Sequence, residues 1–309
     1  MFGKNVKHQD LANEVNAELN VKGRSLLRDA RDRFVRNKAA MASLFIMIFI
    51  ALFTIVGPYF AVWSNEEIDW NRMGDIARQG VPNLENGHFF GLDELGRDMY
   101  ARVIQATTIS LLVGLIGAFM ALVVGTLYGT ISGFVGGRVD SIMMRIVDIL
   151  MAIPGTLVII LLLVVAGRSF VMLFIALGAV SWLTMARIVR GQTLALKNRE
   201  FIEAARAAGV SETVIMFRHI LPNLMGVVIV YASLLVPDMI LAESFISFLG
   251  LGISEPYTSL GRLIAEGAGT MAYGTLWQLA FPLTFYVAII ISMFFIGDGL
   301  RDALDPKDR

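Results

Sequence analysis

The chain has 309 residues, is 56% hydrophobic and has a mean hydropathy of +0.67. That exceeds the roughly 45–50% apolar share of soluble domains and marks an integral membrane protein. Its 26 basic and 26 acidic side chains cancel, so no net field draws nucleic acid. The absence of cysteine excludes disulfides, thiolate metal sites and iron–sulfur clusters, and three scattered histidines (His8, His88 and His219) form no zinc or His-rich chelating site.

Residues 1–38 precede the first apolar stretch. Up to residue 23 they are polar, mixed in charge and without a sustained apolar face, which predicts a mobile or weakly helical tail. From Arg24 onward, Leu26, Leu27, Ala30, Phe34 and Val35 interleave with Arg28, Arg31, Arg33, Arg36 and Lys38. This is the pattern either of a basic amphipathic helix resting on the membrane or of a charge cluster that halts translocation. A bilayer core takes about 20 apolar residues per helix, and six stretches qualify: 39–62, 107–134, 142–166, 170–188, 224–249 and 276–296. No short apolar core with a cleavage site precedes the first, so it reads as a retained anchor rather than a removable signal.

The loop 63–103 holds eight acidic and four basic residues. Within it Gly91 and Gly96 permit turns, Asp93 is a candidate helix cap and Arg97 a candidate partner for a neighbouring carboxylate, together an elbow into the second span. Gly114, Gly117, Gly125, Gly129 and Gly133 place small surfaces on related faces of that span and predict close helix packing. Pro154-Gly155 interrupts the third span and Pro237 the fifth, each removing a backbone hydrogen bond. Such breaks mark either a moving part or a static kink. Gly252, Pro256 and Gly261 signal turns around a short helix expected at 259–267, and a short capped helix is expected after the last span.

With the N-terminus placed inside, the inner segments carry 20 of the 26 Lys and Arg residues. By the positive-inside rule both termini and the segment 199–222 are then cytoplasmic. That segment is a polar island between apolar stretches. Phe201, Ala204, Ala205 and Ala208 recur at helical spacing and give a small, flat, apolar face, with Glu200, Glu203 and Arg206 directed elsewhere. Gly209 can supply the left-handed residue that ends this helix. Ser211 is then a candidate N-cap for a second short helix, which Pro222 stops or kinks near Leu221. The expectation is a helix–turn–helix outside the bilayer that seats another protein; the plain alternative is a solvated hairpin whose alanines reflect helix propensity alone.

Glu203-Ala204-Ala205, with Gly209 four residues after Ala205 and Leu221-Pro222 closing the segment, resembles the EAA loop of ATP-binding-cassette importer permeases. The run His219-Ile220-Leu221-Pro222-Asn223 resembles the dipeptide and oligopeptide branch of that family, as do 88–98, 187–197, 231–237, Glu243-Ser244-Phe245, 247–252 and 297–309. The likeness covers roughly residues 22–309. It implies an all-α, multi-pass protein of the bacterial cell inner membrane, with six transmembrane helices and a type I importer permease core at 104–298. The first helix at 39–62 would precede that core and a cytoplasmic tail at 299–309 would follow it. The resemblance further implies a homologous permease partner in a heterodimer, two ATPase subunits and an extracytoplasmic peptide-binding protein. Glu203, Ala204, Ala205, Gly209, His219, Leu221 and Pro222 would couple to the ATPase, and no cofactor or metal is implied. Related permeases handle oligopeptides, dipeptides or nickel chelates.

Arg145 and Asp148 stand at i, i+3 and are expected to neutralise each other. Asp238 and Glu243 are harder to place, because a lone charge at mid-bilayer costs about 2.5–3.5 kcal/mol on insertion scales. They either line a translocation path for a zwitterionic peptide or pair with donors in a partner subunit. An ion-coupled secondary transporter using Asp148, Asp238 and Glu243 is the alternative, although no internal repeat supports it. Catalysis by the chain itself is not expected, for it has neither a phosphate-binding loop Gly-x-x-x-x-Gly-Lys-Ser/Thr nor a Gly-x-Ser-x-Gly elbow.

Overall fold

Inside hydrocarbon a backbone satisfies its polar groups only within helices or closed barrels, and the apolar stretches of this chain are helical, the third with a break at residues 152–154. The computed structural model describes residues 26–304; the expectations for residues 1–25 and for the tail beyond Leu304 lie outside the described residues. Among the described residues five unbroken helices are long and apolar enough to cross a membrane, and one bent pair, counted as a single span, would make six.

Helix α1 (Leu26–Arg36) is followed directly by α2 (Lys38–Val56), whose start is capped by the Asn37 side chain accepting from Ala40 N at 3.1 Å. Both lie against the C-terminal helix α11 (Leu276–Leu304). The fit is close: a Cβ on Gly299 would sit 2.5 Å from that of Ala40 and 3.2 Å from the Phe34 ring. Because α11 runs unbroken to Leu304, the boundary expected at 298 falls inside a helix.

Helix α3 (Met99–Val135) has 37 residues, about 55 Å at 1.5 Å per residue, and so overreaches a hydrocarbon core of about 30 Å. It begins two turns before the expected 107. Its cap is Asp98, which accepts from Ala101 N at 2.8 Å, and not Asp93. Asp93 instead accepts from Leu95 N and Arg97 N, both at 2.8 Å, and folds the preceding loop onto itself.

The glycines of α3 do pack closely. A Cβ on Gly125 would stand 2.6 Å from Met185 Cβ and one on Gly133 2.8 Å from the Arg190 carbonyl, both on α6 (Phe170–Leu196), while Gly114 meets Ile240 of a later helix. The two prolines flagged as breakers behave differently. At Pro154 the third span divides into α4 (Gly137–Met151) and α5 (Gly155–Ala166), bent by 77°. Pro237, by contrast, lies buried within a helix that continues through it, so the expected interruption of the fifth span is absent. The expected Arg145–Asp148 pair is also replaced, because Asp148 accepts from Arg187 of α6 at 2.7 Å.

Two short helices, α7 (Glu200–Ala207) and α8 (Glu212–Ile215), lead into α9 (Leu221–Phe248). Helix α10 (Leu260–Thr270) matches the expected short helix, and Ser259 caps it by accepting from Arg262 N at 3.3 Å. Gln192, Gly226, Arg301 and Leu304 line one cavity of about 270 Å³, so the ends of α6 and α11 share a side with the start of α9. At the opposite end Trp277 and Gln278 donate to the Leu92 carbonyl at 3.0 and 2.8 Å, and Arg97 donates to Glu255 at 3.0 Å.

Candidate coupling surface

The segment 199–222 is a knob held from beneath. Ile202 on α7, Ile215 on α8 and Ile220 are each fully buried in a cluster with Met185, Val189, Leu224 and Val228. Burying such a side chain stabilises by roughly 1.5–3 kcal/mol, so three of them make the hairpin part of the helical body. Sequence reasoning took Phe201, Ala204, Ala205 and Ala208 as one outward face. In the structure Ala205 turns inward with Ile202, three residues before it, whereas Phe201 (44% exposed), Ala204 and Ala208 stay open to solvent. The signal that could have found the anchors is the spacing of Ile202 and Ala205 at i, i+3, a second apolar stripe beside the first.

The exit of α7 is closed by backbone geometry. Gly209 has φ +78°, Val210 N donates to Ala205 O at 3.1 Å, and Gly209 N donates to Arg206 O at 2.9 Å. These two bonds are those of a Schellman turn with the left-handed residue one beyond the cap. Arg206 then donates to both Glu212 oxygens, at 3.0 and 3.3 Å, and ties the two short helices together. Ser211 occupies the cap position of α8 in extended backbone, but its hydroxyl makes no capping bond.

Beyond Ile215 the expected short helix does not end at Pro222. Residues Met216–Ile220 form a π-helical turn, with Leu221 N donating to Met216 O, and Pro222 stands in the first turn of α9. A proline ring crowds the carbonyl four residues earlier and supplies no donor; a widened turn relieves both, and proline is tolerated at a helix start. The Asn223 side chain takes up the His219 carbonyl at 2.6 Å. Of the residues expected from the sequence to couple, Glu203, Ala204 and Gly209 face outward, Ala205 and Leu221 are half-buried against the body, His219 lies within the π turn and Pro222 follows it.

The two intramembrane acids part company. Asp238 is exposed beside an apolar groove of about 250 Å³ lined by Thr184, Met185, Ile188, Tyr231, Leu234 and Leu235. Glu243 is fully buried and accepts from Ser247 Oγ at 2.5 Å, Ser244 Oγ at 3.3 Å and Ser110 Oγ at 3.5 Å. Ser110 Oγ in turn accepts from Leu260 N at 3.2 Å, which links the cage to the start of α10. No group of three or more acids or histidines suited to a metal occurs among the described residues.

At the end of the bundle opposite the knob lie two side-chain clusters, of which only the pairing of Arg97 with the neighbouring Asp93, at 2.7 Å, was expected from the sequence. His88 is buried between Asp98 (2.9 Å) and Asp69 (3.3 Å) and stacks on Trp63. Arg97, Arg102 and Arg262 interleave with Asp93, Glu255 and Glu266, joining the loop before α3 to α10. Arg97–Glu255 and Arg102–Glu266 join segments more than 150 positions apart, so local spacing carries no trace of those two pairs, whereas Arg97–Asp93 and Arg262–Glu266 have the i, i+4 spacing of local pairs.

Comparison with known proteins bears on this arrangement. Residues 125–309 match the family described as the inner membrane component of binding-protein-dependent transport systems, and residues 25–80 match the N-terminal transmembrane domain of oligopeptide transport permease C. The chain is 50% identical to the oligopeptide transport system permease protein OppC of Haemophilus influenzae, over 99% of this chain and 97% of that one. It is 52% identical to the Escherichia coli K12 protein of the same description, over 98% of each. To the dipeptide transport system permease protein DppC of Bacillus subtilis it is 42% identical, over 92% of this chain and 87% of the other.

Proposed function

The chain belongs to the family of inner membrane components of binding-protein-dependent transport systems, and we propose that it is the permease subunit of an ATP-binding-cassette importer of oligopeptides. It forms half of the pathway beside a homologous permease and takes its energy from two separate ATPase subunits, while an extracytoplasmic binding protein delivers the peptide. The observation that carries this is the knob at 199–222. A hairpin fixed by three buried isoleucines yet showing Phe201, Ala204 and Ala208 uncovered is built to receive force from a partner rather than to fold for its own sake. Glu203 and Gly209 belong to the seat, Ala205 and Leu221 to its footing, and His219 and Pro222 to the joint with α9.

Asp238, exposed beside an apolar groove, is the residue proposed to meet the ammonium group of a passing peptide. Glu243 supports the path from behind, by holding α9 to α3 and to the start of α10 through its serines.

Ala204→Arg tests the seat, because the position is exposed and the change leaves the fold intact. The expected result is normal membrane yield with loss of ATPase co-purification and of peptide uptake. Full retention of both would refute the proposal. Uptake that collapses with ion gradients while ATP is held constant would favour the secondary-transporter alternative instead.

A further inference from the structure

Helix α4 is joined to the rest of the chain by little apolar contact. Met144 and Val147 meet Leu183, Tyr128 and Trp182, while Ile142, Ile146 and Ile149 are 64%, 46% and 60% exposed. Polar bonds supply what this thin contact does not. Asp140 accepts two bonds from Arg190, at 2.5 and 2.6 Å, and one from Ser132 Oγ at 2.5 Å. Asp148 accepts from Arg187 at 2.7 Å, and the Tyr128 hydroxyl donates to the Met143 carbonyl at 2.9 Å.

The two acids stand eight residues apart on α4, about 12 Å along its axis, and their arginines stand three apart on α6. One ion pair would be a pivot; two, in antiparallel order, resist both sliding and rotation. Helix α6 runs without a break from Arg187 to Leu196, and α7 opens four residues later at Glu200. Lys197 secures the same end by donating to the Gly133 carbonyl at 2.9 Å.

We infer that Asp140–Arg190 and Asp148–Arg187 are positioning pairs that make the bent α4–α5 unit follow α6, so that displacement of the coupling knob is delivered to the break at Pro154. This rests on the coupling role proposed above for 199–222. Neither pair touches substrate or nucleotide. Their function is to keep two elements moving as one.

The test uses the full complex in proteoliposomes, with tri-alanine as the transported probe. In Asp140→Asn/Asp148→Asn the ATPase should still co-purify, while uptake per ATP hydrolysed falls about fivefold, the population change that one or two partly exposed pairs carry. The exchange Asp140→Arg/Arg190→Asp should recover most of that ratio. Because the native chain has no cysteine, spin labels at Ile142→Cys and Ala195→Cys report the α4–α6 separation directly. One distance is expected with native pairs and a broadened distribution without them. An unchanged ratio with an unchanged distance would overturn the inference, as would loss of uptake that merely tracks lost membrane yield and is not recovered by the exchange. If the ATPase fails to co-purify with the native chain, the coupling role itself falls, and the label distances still decide the present point.

Discussion

Substitution of Gly209 isolates one physical term. The residue closes the Schellman turn after α7 with φ +78°, and a Cβ placed on it would meet nothing within 4 Å. Steric crowding therefore contributes nothing, and the cost of Gly209→Ala is that of holding an L-residue in the left-handed region, about 1–2 kcal/mol. A cost of that size shifts the balance between the closed turn and an unwound one by a factor of about 5–30. Gly209→Val should exceed it, because a β-branched side chain is a true outlier at positive φ, whereas Gly209→Asn should fall between glycine and alanine. The buried isoleucines remain, so the chain should reach the membrane in normal amount. What changes is the placing of Ala204 and Ala208 relative to α8. Uptake and ATPase co-purification, measured side by side, should decline in the order Gly, Asn, Ala, Val. Equal activity across the series, or an asparagine variant as impaired as the valine one, would refute the argument.

Other positions test separate links. Gly129→Val should prevent assembly of α3 on α6, because its Cβ would run into the Ala186 carbonyl and lie 2.9 Å from Arg190 N; membrane yield after mild detergent extraction reads this, and normal yield would count against the packing account. Glu243→Ala should impair transport or assembly more than Glu66→Ala in the outer loop, since it leaves Ser247, Ser244 and Ser110 without their shared acceptor in a buried site where unsatisfied donors cost about 1–3 kcal/mol each; comparable effects in an uptake assay would contradict it. At Glu255, burial pushes the carboxyl up, but the Arg97 hydrogen bonds and the charges of Arg97, Arg102 and Arg262 outweigh it and hold the group below its ordinary value. A depressed carboxylate stabilises the fold above its unfolded pKa of about 4.3 and loses that contribution as pH falls through the folded value. The thermal stability difference between the native chain and Glu255→Gln should therefore be present at pH 7 and vanish in strong acid; a difference that grew on acidification would have the wrong sign.

The legible parts of this protein were those in which one residue's neighbours lie nearby in the chain. Hydropathy located the long apolar helices among the described residues, and the polar island with Gly209 located the knob, because helix periodicity and a left-handed terminus are local properties. Helix ends were misjudged where polar residues prolong a helix beyond hydrocarbon. Helix α3 starts at Met99 because Asp98 caps it, and α11 continues to Leu304, so hydropathy marks the bilayer and not the helix. Proline gave opposite outcomes at two sites. Pro154 breaks the chain beside Gly155, whereas Pro237 is buried within α9 and the helix stays straight enough to continue; which applies depends on packing from other helices, and no window of sequence contains that.

The same limit explains why the ion pairs were misread, and it bears on how the chain works. Arg145 and Asp148 have helical spacing, yet Arg187 takes the carboxylate because α6 lies alongside α4. A local pair would have removed one of the two ion pairs that hold α4 to α6, leaving Asp140–Arg190 alone. The pairs that form instead cross between elements: Asp140 and Asp148 of α4 to Arg190 and Arg187 of α6, Arg97 of the loop before α3 and Arg262 of α10 to Glu255, and Arg102 of α3 to Glu266 of α10. Apolar contact between helices in a membrane has little directional preference, since lipid tails offer similar contact, so charge pairs and glycine contacts are what fix which helices pack together. The glycine face of α3 ties it to α6, the two acids tie α4 to α6, and α6 ends at the knob. Under the coupling role proposed for that knob, a push there would reach α3, α4 and the bend at Pro154 through one continuous helix.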